Sequence, residues 1–288
     1  MARLGFIGLG VMGRHMAGHL AGQQLTVFDV EPARAAAIEG AQPAADVASV
    51  GRAADVVLLS LPASHIVRDV VVGADGLAGS MQSGGAIIDC STTEPLVSRE
   101  IAETLATQGI DFMDAPVSGG ESAAREGTLA IMVGGRADVF ERYLPILEAV
   151  AASVVRVGDV GAGGVAKLVN NMIVGSAFAV IAESFALGKA NGLDPAVLYE
   201  AIKGGWAGSK VLDVAAPGII ERDFTPGGSI DVLFKDIGYA LSLARSGNIP
   251  VPMTAMVDEV FKAARASGRG PYAQQIIIEL WEQLLDLE

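Results

Sequence analysis

The stretch that decides the fold is LGFIGLGVMG at residues 4–13, where an apolar run meets a glycine-rich turn. Leu4–Ile7 predicts a buried strand, and the three glycines that follow have the spacing G-x-G-x-x-G. A helix is predicted from about Met12 to Ala21. Strand, glycine turn and helix in this order indicate the beginning of a dinucleotide-binding βαβ unit.

Each glycine of the turn has a physical role in such a unit. Gly8 makes the tight turn, Gly10 lets the backbone approach a pyrophosphate, and Gly13 lets the helix pack on the strand. The N-terminus of the helix offers backbone N–H groups to the phosphates. Asp29 ends the next predicted strand, where a carboxylate accepts hydrogen bonds from ribose hydroxyls. The predicted cofactor residues of this region are Gly8, Gly10, Val11, Met12, Gly13 and Asp29.

The type of dinucleotide depends on the charge beside the ribose. Because the carboxylate of Asp29 repels a 2′-phosphate, the sequence favours NAD over NADP. Arg34 follows a few residues later and would offset this repulsion, so NADP stays open.

The first half of the chain alternates short apolar runs with helical patterns, which predicts an α/β fold with a doubly wound parallel sheet of the Rossmann type. The run Val56–Ser60 lacks polar alternation, as is typical of strands buried on both faces. Predicted strands are Leu4–Ile7, Leu25–Phe28, Val56–Ser60, Ala86–Asp89, Asp111–Asp114, Leu129–Val133 and Val154–Val157.

The pattern changes at the glycine cluster 161–164, and we expect a Rossmann domain over residues 1–162 and an all-helical domain over 163–288. A long helix from about Val165 to Asn191 is apolar on nearly every face. It is therefore expected to be buried on all sides, by its own domain and by a second subunit in a homodimer or homotetramer. Only helices are predicted after it, with starts at Pro195 and near Pro252.

Composition excludes several classes of function. The formal net charge of −13 argues against nucleic-acid binding. The single cysteine, Cys90, excludes an intrachain disulfide and a cysteine-based zinc site, and it fits a reducing cytoplasm. Leu168–Ala182 is the most apolar later run, and at about 15 residues it is short of a bilayer span, so no membrane segment is predicted.

A second glycine motif, Asp114–Gly120, follows a predicted strand. The hydroxyl of Ser118 and the backbone N–H groups of Gly119 and Gly120 together suit a carboxylate. An ordinary tight turn explains the local sequence equally well.

The start of the long helix carries a lysine and an asparagine on one face. Lys167 and Asn171 are four residues apart. Burial and the positive end of the helix dipole would both lower the pKa of an ammonium here, as an acid/base lysine requires. The alternative is a lysine that reaches solvent beside the glycine cluster.

Other polar residues have weaker signals. Lys235-Asp236 is a charged pair in an apolar context, which suits either a site or a structural pair. Leu61, Pro62, Ser91 and Thr92 follow predicted strands and would line a nicotinamide pocket. His15 and His19 have metal-binding spacing, but no carboxylate lies near them in sequence, so we assign them to helix packing and predict no metal.

Together these motifs resemble the β-hydroxyacid dehydrogenase family, and the resemblance covers essentially the whole chain. The ordered elements are Gly8–Gly13, Asp114–Gly120, Gly127–Gly135, Gly164–Asn171 and Lys235-Asp236. The family includes 3-hydroxyisobutyrate dehydrogenases, tartronate semialdehyde reductases and 6-phosphogluconate dehydrogenases. Residues 204–213 and 223–227 are most similar to the tartronate semialdehyde reductases.

The resemblance implies hydride transfer between NAD(H) and a small 3-hydroxy acid or aldehyde acid. Lys167 would be the catalytic acid/base, and Asn171 would hold the lysine or the substrate oxygen. Ser118, Gly119 and Gly120 would bind the substrate carboxylate. Lys235 would add positive charge, and the Lys235-Asp236 element would also contact the cofactor. Other hydroxy acids and semialdehydes stay open as substrates, and the rival classes are an imine reductase and a non-catalytic NAD-binding protein.

Overall fold

The computed structural model describes residues 2–287. The chain divides into two compact units between Lys167 and Leu168, a few residues after the predicted boundary at 162/163. The division falls inside one long helix, so this helix contributes its first turns to one unit and its remainder to the other.

The first unit is built around one sheet. Its described residues form nine strands: β1 (Leu4–Ile7), β2 (Leu25–Phe28), β3 (Gln42–Pro43), β4 (Val56–Leu59), β5 (Ala86–Asp89), β6 (Asp111–Asp114), β7 (Val117–Ser118), β8 (Leu129–Gly134) and β9 (Ala151–Gly158). The short strands β3 and β7 lack an apolar run, so the sequence pattern did not predict them.

Strand order is β3-β2-β1-β4-β5-β6-β8-β7, with β9 beside β8. The six strands from β3 to β6 are parallel, which confirms the predicted Rossmann-type sheet. The continuation to β8 is antiparallel, against the prediction of a wholly parallel sheet. The chain reverses between β7 and β8 over residues 119–128, a connection that contains α6 and is shorter than the dozen or more residues that a parallel crossover needs.

Seven helices follow these strands in the described first unit, and they are separate from the long helix. They are α1 (Gly13–Leu20), α2 (Pro32–Ala36), α3 (Val47–Ala53), α4 (Ser64–Val72), α5 (Pro95–Ala106), α6 (Gly120–Glu126) and α7 (Ala137–Glu148). Every residue of β1, β4 and β5 is buried, so helices cover both faces of the central sheet.

The second unit is helical, as predicted, over its described residues. It contains the remainder of α8 (Ala162–Ala190), then α9 (Pro195–Ile202), α10 (Lys210–Glu221), α11 (Ile230–Ser246), α12 (Pro252–Ala266), a 3₁₀ turn (Gln274–Ile277) and α13 (Ile278–Leu284). The predicted starts at Pro195 and Pro252 are confirmed. Asp194 caps α9 by accepting the Ala196 N–H at 2.8 Å.

Helix α8 is not buried on all sides by its own chain. Val169, Ile173, Val180 and Leu187 are each at least half exposed, and their spacing places them along one stripe of the helix. Helix packing within one chain covers only part of a cylinder, and burial of the remaining stripe by a second subunit stays a prediction.

By length and composition α8 could also cross a membrane, with a mean hydropathy of 1.6 over an 18-residue window. The helix is longer than the predicted apolar run Leu168–Ala182, because it begins within the glycine cluster and continues to Ala190. A core helix of a soluble protein meets the same criterion, so this feature is weak evidence for a membrane span.

Candidate active site

The predicted cofactor residues lie at the carboxyl edge of the parallel strands. The ladder of backbone hydrogen bonds continues past the strand ends, from Gly8 N–H to Phe28 O, from Ser60 N–H to Ile7 O and from Cys90 N–H to Leu59 O. The segments after β1, β2, β4 and β5 are therefore held side by side. Ligands bind at this edge of a parallel sheet.

Close backbone contacts require glycine at two positions of the turn after β1. Gly8 has a φ of +94°, and a Cβ atom there would lie 2.3 Å from Ser60 O. A Cβ atom on Gly13 would lie 1.9 Å from Gly8 O. By contrast, a Cβ atom on Gly10 would meet no atom of the described chain within 4 Å. Gly8 and Gly13 are thus needed for the conformation of the loop itself, whereas Gly10 leaves space beside the loop for a ligand.

The start of α1 fits a pyrophosphate. Within this helix, all of which the structure describes, the first turn has no acidic residue and no side-chain cap. Val11 and Met12 precede the helix, Val11 exposed and Met12 half-buried. Backbone N–H groups at such an uncapped end favour an anion. The chemistry of the loop therefore fits the dinucleotide that its sequence predicts.

Asp29 is buried and bound to the same loop. Its Oδ2 accepts the Leu9 N–H at 2.6 Å, and its Oδ1 accepts the Glu31 N–H at 2.9 Å. Arg34 pairs with Glu31 at 2.8 Å and lies 3.6 Å from Asp29. The carboxylate of Asp29 therefore links the turn after β1 to the turn after β2, and Arg34 is matched by two acidic groups.

The segments after β4 and β5 are joined through a serine. The Leu61 N–H donates to the Oγ of Ser91 at 2.8 Å. Asp89, fully buried at the end of β5, accepts the Ser91 N–H at 3.0 Å and the Thr93 hydroxyl at 2.6 Å. Asp89 thus fixes the turn that contains Thr92. Pro62 is exposed and Thr92 half-buried at the same edge.

The motif after β6 is a strand followed by two glycines rather than a simple turn. Ser118 pairs with Ala130 of β8 and is half-buried, while Gly119 and Gly120 are exposed. The next residue, Glu121, binds Arg14 at 2.5 Å and His15 at 3.2 Å. The hydrogen bond from His15 and the guanidinium of Arg14 lower the pKa of Glu121. The glycine pair is therefore tethered to α1, the helix of the cofactor turn.

Asp114 connects the sheet to the start of α8. It is 2% exposed, and it accepts the N–H groups of Gly161 and Gly164, each at 2.7 Å. Burial raises the pKa of Asp114 to about 7, although both amide hydrogen bonds favour its charged form. Lys167 is half-buried, three residues after Gly164 on the same helix.

Asn171 lies one turn beyond Lys167 and is held by α11. Its Nδ2 donates to Oδ2 of Asp236 at 2.6 Å, and its Oδ1 accepts the Asn170 amide at 2.9 Å. The Nζ of Lys235 lies 2.9 Å from the other Asp236 oxygen, at ion-pair distance but outside good hydrogen-bond alignment. Because a carboxylate only accepts, Asp236 fixes which way the Asn171 amide points.

Lys235 also contacts an aromatic ring. Its Nζ lies 4.9 Å from the centre of the Tyr239 ring, one turn along α11. The structure thus brings Asn171, Lys235 and Asp236 together in the second unit. It places the glycine turn, Asp29, Ser118 and Lys167 in the first unit.

The two histidines of α1 contact α6. His15 binds Glu121, and His19 lies 3.1 Å from the carbonyl oxygens of Ala124 and Arg125. In residues 2–287 there is no group of three or more His, Cys, Asp or Glu that could hold a metal ion. Cys90 is buried, and burial raises the pKa of its thiol, which suits a packing role.

Sequence reasoning missed the buried carboxylates that hold these segments. Asp89 and Asp114 end neighbouring strands and are direct partners in the ladder between β5 and β6. An aspartate that closes a predicted strand and is followed by small residues is the signal that would have found both. Glu121 had no such signal, because its partners lie more than 100 residues away in the sequence.

Two family models match consecutive parts of the chain. Residues 3–158 match the NAD binding domain of 6-phosphogluconate dehydrogenase. Residues 161–281 match the NAD-binding domain of NADP-dependent 3-hydroxyisobutyrate dehydrogenase. The two matches together cover nearly all of the described chain.

Full-length relatives agree with these matches. The chain is 39% identical to 2-(hydroxymethyl)glutarate dehydrogenase of Eubacterium barkeri, over 98% of this chain and 95% of the relative. It is 35% identical to 2-hydroxy-3-oxopropionate reductase of Escherichia coli, over 97% of each chain. A solved structure of 3-hydroxyisobutyrate dehydrogenase from Mycobacterium tuberculosis, with L-serine, is 30% identical. Its TM-score is 0.89, over 97% of this chain and 99% of that one.

These relatives are dehydrogenases and a reductase of different small acids, and their likeness extends over both units of the chain. The match therefore includes the glycine turn, the strand ends and the helix that carries Lys167. The chain belongs to the β-hydroxyacid dehydrogenase family of NAD(P)-dependent oxidoreductases that act on CH–OH groups.

Proposed function

We propose that the chain interconverts a small 3-hydroxy acid and its aldehyde acid, with Lys167 as the general acid and base. The observation that carries this proposal is the first part of α8. There Lys167 and Asn171 share a face, Asp114 holds the turn before the lysine, and Asp236 holds the asparagine after it. An acid/base group needs such fixed neighbours to meet a reacting oxygen.

Each residue has a role that its chemistry supports. In the direction of reduction, the Lys167 ammonium donates a proton to the developing alkoxide; in oxidation the neutral amine takes the hydroxyl proton. Asn171, with its amide oriented by Asp236, holds the lysine or the substrate oxygen. The bound nicotinamide supplies or accepts the hydride.

The substrate carboxylate is assigned to Ser118, Gly119 and Gly120. Both glycines are exposed and have positive φ; Gly119 lies between β7 and α6 and Gly120 begins α6, so neither N–H belongs to the β-ladder. Lys235 adds positive charge, which Asp236 partly balances at 2.9 Å. A small anionic substrate suits this set of donors.

NAD is the preferred cofactor in this proposal. The buried carboxylate of Asp29 would repel a 2′-phosphate, and Arg34 is already paired with Glu31 and near Asp29. Val30, the residue after Asp29, is 84% exposed and offers no positive charge. A preference for NADP would require a positively charged side chain beside Asp29 to bind the 2′-phosphate.

We favour tartronate semialdehyde, also named 2-hydroxy-3-oxopropionate, as the substrate, because residues 204–213 and 223–227 are similar to its reductases. 3-Hydroxyisobutyrate and other semialdehydes are the alternatives. One-methylene differences between such substrates change binding by only about 1–3 kcal/mol, so the substrate must be found by assay.

The deciding assay follows absorbance at 340 nm with NADH or NADPH and a panel of aldehyde acids headed by tartronate semialdehyde. Rapid oxidation of NADH with one aldehyde acid supports the proposal and names the substrate. Turnover of cyclic imines instead would assign the chain to the imine reductases. NADH binding without any turnover would indicate a non-catalytic role.

A second copy of the chain is the proposed partner of α8, in a cytoplasmic homodimer or homotetramer. The support is the exposed apolar stripe of Val169, Ile173, Val180 and Leu187 on this helix. A stripe of this kind is typical of a helix that packs on another protein surface.

A further inference from the structure

The strongest unassigned feature of the described chain is the buried carboxylate of Asp114. Both of its oxygens are used, Oδ1 by the N–H of Gly161 and Oδ2 by the N–H of Gly164. These two amides belong to the turn that begins α8. The carboxylate therefore acts as a cap for this helix, supplied from a strand about 50 residues earlier in the chain.

Three glycines allow the cap to approach so closely. A Cβ atom on Gly134 would lie 2.4 Å from Oδ1 of Asp114, and one on Gly163 would lie 2.5 Å from the Asp114 carbonyl oxygen and 2.4 Å from Met132 O. A Cβ atom on Gly164 would lie 3.1 Å from Thr93 O. The first turn of α8 is thus packed backbone to backbone on the ends of β6 and β8.

A carboxylate is a costly choice at this place. Burial opposes its charge, and Asp89, its ladder partner on β5, adds repulsion. The negative charge of the carboxylate has two uses here. It accepts two N–H groups at once, and it offsets the positive end of the helix dipole. Lys167 is the sixth residue of α8 and follows Gly164 by three residues, so its position depends on how the start of this helix is held.

We propose that Asp114 is a positioning residue for Lys167: its carboxylate fixes the turn that begins α8 and so holds in place the lysine that follows on the same helix. This inference rests on the proposed role of Lys167. Asp114 itself need not touch substrate or cofactor, since it is 2% exposed.

The test compares Asp114→Asn with a control of similar stability. Leu105→Ala removes a fully buried side chain at the far end of α5 and leaves the Asp114 contacts intact. The protein has six lysines, so reductive ¹³C-methylation gives a simple NMR spectrum, and Lys167→Arg assigns the Lys167 signal. The pKa of Lys167 is read from this signal without substrate.

We expect Asp114→Asn to change the pKa of Lys167, because the turn before the lysine loses the carboxylate that holds it. Turnover should fall about 10- to 100-fold from misplacement of the lysine, with little change in the dissociation constant for NADH. Leu105→Ala should change neither the Lys167 pKa nor the ratio of kcat to KM. Equal Lys167 pKa values in Asp114→Asn, Leu105→Ala and the parent protein would overturn the inference.

If Asp114→Asn fails to fold, a pH titration of the Lys167 NMR signal in the unsubstituted protein tests the inference. The Lys167 signal should then follow a second ionisation near pH 7, that of Asp114, and a single inflection would contradict the inference. The acid/base role is judged separately, by turnover of Lys167→Ala. The NMR titration needs no turnover, so the two proposals can fail independently.

Discussion

The carboxylate of Asp114 accepts the backbone N–H of Gly164 at 2.7 Å, which ties the last residue of β6 to the first turn of α8. The second oxygen accepts Gly161 at the same distance. Through these two bonds the edge of the Rossmann sheet is connected to the helix that carries Lys167.

The stability of the protein should depend on pH through Asp114. Its folded pKa of about 7 exceeds the ordinary value of 3.8, so the folded state holds this proton more tightly than the unfolded state. The resulting stabilisation, at most about 4 kcal/mol, is complete below about pH 4 and is lost as the pH rises through 7. The variant Asp114→Asn has no carboxylate at this position, so it should not lose this stability as the pH rises.

Urea denaturation at several pH values between 4 and 8 measures the effect. The free energy of unfolding of Asp114→Asn, relative to the parent protein, should rise with pH over this range. If the difference in the free energy of unfolding between the two proteins does not change with pH, the pKa of Asp114 is not raised in the folded state.

Removal of the Lys167 amine should stop turnover while cofactor still binds. Lys167→Ala is expected to lose about 10²- to 10⁴-fold in kcat, the usual contribution of a general acid or base. NADH titration by fluorescence should give a similar dissociation constant. Lys262→Ala is the matched control, because this lysine is half exposed on α12 and pairs only with Asp258 and Glu259 among the contacts described. Full activity of Lys167→Ala would refute the acid/base role.

Three glycine-to-alanine substitutions should separate folding from cofactor binding. Gly13→Ala places a Cβ atom 1.9 Å from Gly8 O, so both thermal stability and NADH binding should fall. Gly10→Ala meets no described atom within 4 Å, so stability should be kept while NADH affinity drops, because the methyl group blocks the approach of the pyrophosphate.

Gly18→Ala is the control for this series. It lies on an exposed position of α1 with no described atom within 4 Å, and it should stabilise the protein by about 0.5–1 kcal/mol without changing NADH binding. Melting curves and NADH titrations of all three variants give the comparison. Normal NADH affinity in Gly10→Ala would contradict the predicted position of the pyrophosphate.

A positive charge after Asp29 should shift the enzyme toward NADPH. Val30 is 84% exposed, so Val30→Arg costs little in folding and places a guanidinium beside the 2′ position. The ratio of kcat/KM for NADPH over NADH should rise by about tenfold or more, since one charge-assisted hydrogen bond contributes about 1.5–3 kcal/mol. Val30→Gln, similar in length but neutral, should leave the ratio nearly unchanged. The same shift in both variants would show that charge is not the cause.

A charge on the exposed stripe of α8 should break the proposed oligomer. Ile173 is 66% exposed within one chain, so Ile173→Asp should preserve the fold but reduce the particle mass to that of a single chain. Light scattering after size exclusion measures this mass. Val155→Asp, on the exposed side of β9, is the control. If the unsubstituted protein is already a monomer, the proposed interface on α8 is excluded.

The local pattern of residues was enough to predict the Rossmann sheet, because parallel strands are continuous apolar runs and the glycine turn has a fixed spacing. The bounds predicted for β1, β2, β5 and β6 agree with the structure. The antiparallel direction of β8 could not be predicted in the same way. It depends on the path of the connection over residues 119–128, which contains α6 and has no apolar run that fixes its direction.

The sequence by itself determined the fold class, the family and the residue types of the site, since these follow from spacing and hydrophobic periodicity. Only the tertiary structure decided which groups hold that site in place. Asp114 meets Gly164 across 50 residues of chain, and Asp236 meets Asn171 across 65. A hydrogen bond depends on distance in space and has no period along the chain, so these partners became visible only after the strands and helices had packed.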